Sequence, residues 1–245
     1  MEDRDWCQTQ LRTELAAQAL DSDLKEWIAY LQTDQPLEEF EHWLSRNTPS
    51  SHYRSKGIGW ISVSAPTVGD LGKLGDLERL EQMWDEVERS NRPINVNLIS
   101  DLARICQITC GKWLFHVDAG PKADHLWSLI ATAIVKDNIP SKAAKVSPVN
   151  DLSDCYTPQH VVCVYNDNYL DQEQVLECEN GIRRIGIKCP LFYKPDIFTY
   201  LGIYRDNPWE LRPTIYRSEY NVLTGQSVVD LNHASKPWSV VERPK

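Results

Sequence analysis

The chain lacks long hydrophobic runs, and none approaches the roughly 18 consecutive apolar residues that a transmembrane helix needs. Its N-terminus, MEDRDWCQTQ, is acidic and has no apolar segment of the kind found in signal peptides. Glycine is scarce, at 11 of 245 residues, which excludes a collagen-like repeat. These absences predict a soluble intracellular protein with no membrane association. We expect it in the cytoplasm, with the nucleus left open as a second compartment.

Sequence motifs of catalysis and metal binding are also missing. The seven cysteines are odd in number and include no CxxC pair, so we expect neither a disulfide framework nor a zinc site. No Gly-x-Ser-x-Gly segment, phosphate-binding loop or His-Glu-x-x-His segment occurs. We therefore predict no enzymatic activity, no metal and no cofactor. The alternative left open is a nucleophile set of Asp154, Cys155 and His160.

Apolar and aromatic residues are plentiful, at 42% hydrophobic with nine tryptophans, and a chain of this length can bury a full core. The net charge is −9, and residues 1–110 carry 11 basic against 19 acidic residues. Such an acidic chain is unsuited to non-specific duplex binding, which depends on neutralising phosphates. A local basic groove in the second half remains compatible with the sequence.

Helical periodicity dominates the first 50 residues. The residues that form its apolar face are Leu11, Leu15, Ala19, Trp27, Ile28 and Leu31. A short amphipathic helix follows Pro36, which suits a first helical position. We predict an N-terminal helical extension over residues 1–50, an α+β domain over 51–217, and a polar tail over 218–245 that trails along the surface.

From residue 58 onward, strand patterns alternate with helical ones. Asp76 and Asp171 are predicted to cap helices, a further helix ends near Gly111, and Asp124 is predicted to cap another. The predicted strands cover residues 59–63, 112–117, 144–147, 160–165, 187–193, 197–204 and 214–216. Several of the connections are too short for parallel crossovers. The pattern therefore favours an α+β fold with a mainly antiparallel sheet and helices on one face.

Several segments carry a family resemblance. They are GWISV, GKWLFH, DHLWSLIATAIV, AKVSP, VVCVY, GIKC and YKPDIFTYLGIYRDN. From about residue 15 to about residue 217 the chain resembles the basophilic-leukaemia-expressed protein family, which has no established enzymatic activity. That family's fold is similar to the cap-binding translation initiation factor 4E, so the resemblance implies a curved antiparallel sheet backed by three long helices. It also implies a nucleotide or RNA on the concave face.

The resemblance carries over only part of the cap-binding chemistry. Gly111-Lys112-Trp113-Leu114 is similar to the factor's Gly-Arg-Trp-Leu segment, which implies a phosphate-side position for Lys112, and Lys145 lies near a second one. The pair of stacking tryptophans has no counterpart. Trp84 aligns best with the dorsal helix, where the factor docks its protein partners.

The candidate binding residues are basic and aromatic. We expect Lys112, Lys122, Lys142 and Lys145 to form an anion site, with Lys122 meeting a phosphate at the helix N-terminus that Asp124 caps. Lys194 lies in a predicted turn after Tyr193, and Tyr200 and Tyr204 are predicted on a strand, where they could stack bases. Arg205 beside an exposed Trp209 suits a binding hot spot. The alternatives are surface lysines, tyrosines packed against the tail and a tryptophan that anchors its loop.

Two functional hypotheses follow. The first is a non-catalytic protein that binds single-stranded RNA or a nucleotide on the concave face. The second is a protein-interaction adaptor that uses the acidic N-terminal helices and helix 77–89.

Overall fold

The computed structural model describes residues 22–32, 36–65, 75–90, 92–152 and 158–235. Eight strands form one curved, unclosed sheet in the order β1-β2-β4-β5-β3-β6-β7-β8. The strands are β1 (Glu26–Leu31), β2 (Ile58–Ser64), β3 (Gly111–Asp118), β4 (Ala143–Val146), β5 (Gln159–Asn166), β6 (Leu191–Pro195), β7 (Tyr216–Asn221) and β8 (Gln226–Asp230). Every neighbouring pair is antiparallel except β1 and β2, which are parallel. The fold is thus the expected α+β class.

Within the described residues, six α-helices accompany the sheet in addition to a helical turn over residues 22–24. They are α1 (Leu37–Arg46), α2 (Leu77–Arg89), α3 (Val96–Cys106), α4 (Pro121–Val135), α5 (Gln172–Arg184) and the short α6 (Asp196–Tyr200). Asp76 caps α2 by accepting the Arg79 amide, and Asp171 caps α5 in the same way, as predicted. No helix of the described residues is long and apolar enough to cross a membrane.

The core lies between one face of the sheet and the helices. Along β3, Trp113, Phe115 and Val117 are buried, because alternate residues of a strand point to the same face. Helix α4 packs across β2, β3, β4 and β5 and places Trp127 and Ile130 against them. The opposite face of the sheet carries the alternate residues of the same strands, among them Lys112, Leu114 and His116 of β3.

The prediction of helix over Trp27, Ile28 and Leu31 is wrong. These residues form β1, which pairs in parallel with β2. The spacing that indicates one helical face also fits a strand, in which Ile28 and Tyr30 point to the core while Trp27 points away. Helix α1 is confirmed, and the predicted helical residues 11–19 lie outside the described residues.

The predicted strand over residues 197–204 is also wrong. The chain turns into α6 directly after β6, where the Asp196 amide donates to the Cys110 carbonyl. Ile197, Phe198 and Leu201 are then buried at helical spacing. Lys194 lies within β6 rather than in a turn.

Residues 218–230, predicted as part of a trailing tail, extend the sheet instead. Strands β7 and β8 form a hairpin whose turn uses the Asn221 side chain as an acceptor for the Leu223 and Thr224 amides. Gly225 has the positive φ that such a turn requires. The polar composition of this segment follows from its place at the edge of the sheet, where much of each residue faces solvent.

Two predicted helix boundaries also differ. Helix α3 ends at Cys106, with Gln107 in the left-handed conformation, and Gly111 already belongs to β3. Helix α4 begins at Pro121, so Asp124 lies inside its first turn and does not cap it. The Asp124 carboxylate instead accepts the amide and the hydroxyl of Ser50.

Candidate functional site

Three lysines form a row across the sheet face opposite α4, and the start of α6 lies beside them. In the strand register, Lys112 of β3 stands opposite Tyr165 of β5 on one side and Lys194 of β6 on the other. Lys145 of β4 stands opposite Cys163, which places it on the same face. We call Lys145, Lys112 and Lys194 the lysine row and this side of the sheet the lysine face.

Lys112 is held at the centre of the row. Its ammonium lies 2.5 Å from the Asp196 carboxylate at the start of α6 and 5.6 Å from the ring centroid of Tyr165. Burial acts to lower the pKa of Lys112, but the Asp196 carboxylate acts in the opposite sense and leaves the pKa above the usual lysine value. Lys112 therefore carries a full positive charge at neutral pH.

Lys145 lies between two indole rings. Its Nζ is 3.9 Å from the ring centroid of Trp60 and 4.7 Å from that of Trp27. It also donates to Asp23 Oδ1 at 3.1 Å, and the same oxygen accepts the Trp60 indole N–H at 2.8 Å. Burial lowers the pKa of Lys145 below its usual value. Contact with both ring faces and a carboxylate offsets part of that desolvation cost.

Lys194 occupies the other end of the row. Its ammonium donates to the Ile203 carbonyl at 3.0 Å and lies 3.7 Å from the ring centroid of Tyr204. Burial, followed by the charge of Lys112, lowers the pKa of Lys194 to about 7. The amine can therefore change its charge within the physiological pH range.

Two exposed aromatic side chains stand beside the row. Trp27 is 40% exposed and packs against Trp60 at one end. Tyr200 is 46% exposed, and its hydroxyl lies close enough to Asp196, Lys112 and Asp23 for their charges to act on it. A flat ligand could stack on either ring while its anionic groups meet the lysines.

Several predicted site residues do not join this face. Lys122 is exposed in the first turn of α4, on the helix side of the sheet. Tyr193 is buried, with its hydroxyl bonded to Asn166 and its ring packed edge-on against Trp113. Lys122 belongs to a helix on the other side of the sheet, and Tyr193 alternates with Lys194 along β6. Neither side chain therefore reaches the lysine row.

The predicted hot spot around Trp209 is a packing contact. The Trp209 ring meets Trp84 of α2 edge-on, with 4.9 Å between ring centroids. Trp84 itself is buried, so α2 does not offer it to a partner. Arg205 is partly exposed and lies near His116, which is on the lysine face of β3. The pKa of His116 is lowered by burial and, to a smaller extent, by the charge of Arg205.

Sequence reasoning misses much of the surroundings of the row. Trp60 and Asp196 are not singled out, and Trp27 is assigned to a helix. A strand assignment for residues 26–31 would have moved Trp27 into the sheet, and the parallel pairing of β1 with β2 places it opposite Trp60. Of the alternative nucleophile set, Asp154 and Cys155 lie outside the described residues. His160 is buried, and its Nδ1 is bonded to the Ser147 carbonyl.

A polar groove of about 1090 Å³ opens elsewhere, between α5, the 137–142 loop and the β7–β8 hairpin. Two of its cations are already paired, Lys142 with Asp137 and Arg183 with Glu179. A third cation of its lining, Arg184, is exposed, so the groove also presents positive charge to solvent. No group of His, Cys, Asp and Glu side chains suited to a metal ion occurs in the part of the chain that the structure describes.

Comparisons with solved structures give partial overlaps. A crystal structure of schistosome eIF4E complexed with m7GpppA and 4E-BP is similar at a TM-score of 0.31 and 16% identity, over 41% of this chain and 55% of that one. A second, with m7GpppG and 4E-BP, gives a TM-score of 0.28 and 19% identity, over 36% and 49%. The chain thus spans about half the length of these structures, and so partial a likeness carries no argument about function.

Family comparison is more specific. A family model described as basophilic leukemia-expressed protein Bles03 matches residues 78–202, about half of the chain, from α2 to the end of α6. The match includes β3, β4, β5 and β6, the strands across which the lysine row runs, and it confirms the resemblance drawn from the sequence. The chain therefore belongs to the basophilic leukemia-expressed protein Bles03 family.

Proposed function

We propose that the protein is a non-catalytic binding protein that takes single-stranded RNA, or a nucleotide as its smallest equivalent, on the lysine face. The observation that carries the proposal is the lysine row itself, with the exposed rings of Trp27 and Tyr200 beside it. Cations that meet phosphates and aromatic rings that stack bases are the two parts of a single-strand binding site.

The charges of the row favour an anionic ligand. Its three lysines face two carboxylates, Asp23 and Asp196. A phosphate that approached Lys112 or Lys145 would share the ammonium with the carboxylate that now holds it. We therefore expect moderate affinity, because the net charge of −9 adds no long-range attraction. The affinity should fall as the salt concentration rises, because it depends on contacts between lysines and phosphates.

Stacking of bases on aromatic rings would supply the remainder of the binding free energy. Trp27 and Tyr200 are exposed on the face that carries the cations, so a base could lie on either ring without movement of the backbone. Each stacked base contributes on the order of 1–3 kcal/mol in single-strand binding sites. Such contacts tolerate any base, and we expect little sequence preference.

The adaptor hypothesis receives less support. On α2, the inward residues Leu80 and Trp84 are buried, while the exposed ones, including Glu81, Asp85 and Glu88, are mostly charged. Protein interfaces usually rely on aromatic or apolar anchors.

The proposal of a non-catalytic role rests in part on Cys106, Cys163 and Cys178, whose thiol pKa values are raised by burial.

Fluorescence anisotropy with a short labelled single-stranded RNA, over a salt series, tests the proposal. We expect saturable binding tighter than about 10⁻⁴ M, the weak end of ordinary non-specific binding, and a loss of affinity as salt rises. Tyr200→Ala should weaken binding about 5- to 100-fold, because it removes a stacking ring.

The matched control is Tyr53→Ala. Tyr53 is similarly exposed, at 42%, but lies in a loop bridged to Val149, away from the lysine row. This variant should bind as the wild type does. Binding weaker than about 10⁻⁴ M, or equal losses in the two variants, would overturn the proposal.

A further inference from the structure

Trp27, Trp60 and Asp23 surround a cation at one end of the lysine face. The two indole rings stand 6.3 Å apart between centroids and are tilted by 56°. The Asp23 carboxylate is fixed at the same place by the Trp60 indole N–H. Aromatic faces combined with a carboxylate are the surroundings that proteins use to hold organic ammonium groups.

The cation between them belongs to the chain. Strand register places Lys145 opposite Ser62, two residues along β2 from Trp60, so its side chain reaches both rings. Its Nζ lies within 5 Å of each ring centroid and within hydrogen-bond distance of Asp23. The Lys145 side chain is largely buried, whereas Trp27 and Asp23 are exposed. Exposed parts of Trp27 and Asp23 therefore border the place that the ammonium fills.

We propose that Trp27, Trp60 and Asp23 form a cation cage that Lys145 occupies as an internal ligand, so that Lys145 bars positively charged groups from this end of the lysine face. This inference rests on the proposed function, because it specifies the charge of the bases that the lysine face accepts. A second cation would meet the ammonium of Lys145 at close range and find the carboxylate already bonded. The face therefore selects neutral bases over bases with a fixed positive charge.

Removal of the internal ligand should turn the cage into a receptor. In Lys145→Ala, two indoles and a carboxylate without its ammonium partner would remain, and these suit a small quaternary ammonium ion. The probe is tetramethylammonium chloride, compared with sodium chloride at equal ionic strength. The readouts are tryptophan fluorescence and the thermal midpoint, because a ligand that binds the folded state raises Tm.

We expect the Lys145→Ala fluorescence to saturate with tetramethylammonium and its Tm to rise above the value in sodium chloride. The wild type should respond to both salts alike. Adding Trp27→Ala to Lys145→Ala should weaken the apparent affinity for tetramethylammonium about tenfold. Lys188→Ala is the matched control, since Lys188 lies 5.6 Å from the single ring of Tyr220 and leaves no cage behind.

The thermal readout keeps the inference testable if Lys145→Ala is only marginally folded. In that case tetramethylammonium, and not sodium, should restore a cooperative transition. Identical responses to the two salts in Lys145→Ala, or an equally strong tetramethylammonium response in the wild type, would overturn the inference. No nucleic acid enters this experiment, so its failure and the failure of RNA binding are separate observations.

Discussion

Arg183 and Glu179 form a buried ion pair one turn apart on α5, with 2.8 Å between Arg183 Nε and Glu179 Oε1. The hydroxyl of Ser218 in β7 bridges them, because it donates to Glu179 and accepts from Arg183. The Arg183 guanidinium also donates to the carbonyls of Ile187 and Cys189. The C-terminal hairpin is thus tied to a helix by buried charge.

The first prediction concerns this pair. Arg183→Ala should lower the free energy of unfolding by about 3–5 kcal/mol, because it leaves the Glu179 carboxylate buried without its cation. Urea denaturation measures the change. Arg184→Ala is the control, since its side chain is exposed and the change should stay within about 0.5 kcal/mol. Equal stability of the two variants would show that the pair does not hold the hairpin.

The second prediction concerns pH and Lys194. Because the folded-state pKa is about 7 and the unfolded value is about 10.4, the unfolded chain binds more protons between these limits. The cost of burying the charged amine is therefore complete below about pH 7 and disappears as the pH rises towards about 10. Lys194→Met should be more stable than the wild type by a few kcal/mol at about pH 6, with a difference that shrinks as pH increases.

Denaturation curves of both proteins across this pH range test the point. Lys136→Met serves as the control, because Lys136 is exposed at the end of α4 and its replacement should give a difference that does not vary with pH. A Lys194→Met difference that is constant, or that grows with pH, would contradict the assigned titration.

The third prediction separates packing from binding. Trp209→Ala should lower the free energy of unfolding by about 2 kcal/mol, because it removes the edge-on contact with Trp84. It should leave the RNA affinity unchanged. Tyr200→Ala should show the opposite pattern, with a weaker RNA affinity and little loss of stability. A Trp209→Ala variant that binds RNA more weakly at full stability would restore the hot-spot interpretation.

Elements with a local signal could be predicted from the sequence. Asp76 and Asp171 cap their helices because the side chain bonds to amides two or three residues away. The pattern of residues 197–204 does not distinguish a strand from a helix, because alternation and helical spacing overlap over so short a segment. The Cys110 carbonyl, which binds the Asp196 amide and starts α6, is distant in sequence.

Composition and periodicity by themselves determined the α+β class and the mainly antiparallel sheet, the caps Asp76 and Asp171 located α2 and α5, and the family resemblance pointed to the lysines at 112 and 145. Only the tertiary structure decided that residues 26–31 join the sheet, that Lys194 extends the row, and that Asp196, Trp27 and Trp60 surround it. The physical reason is that strand register joins residues more than 30 positions apart. The ion-pair and aromatic partners of each lysine are therefore set only when the strands align.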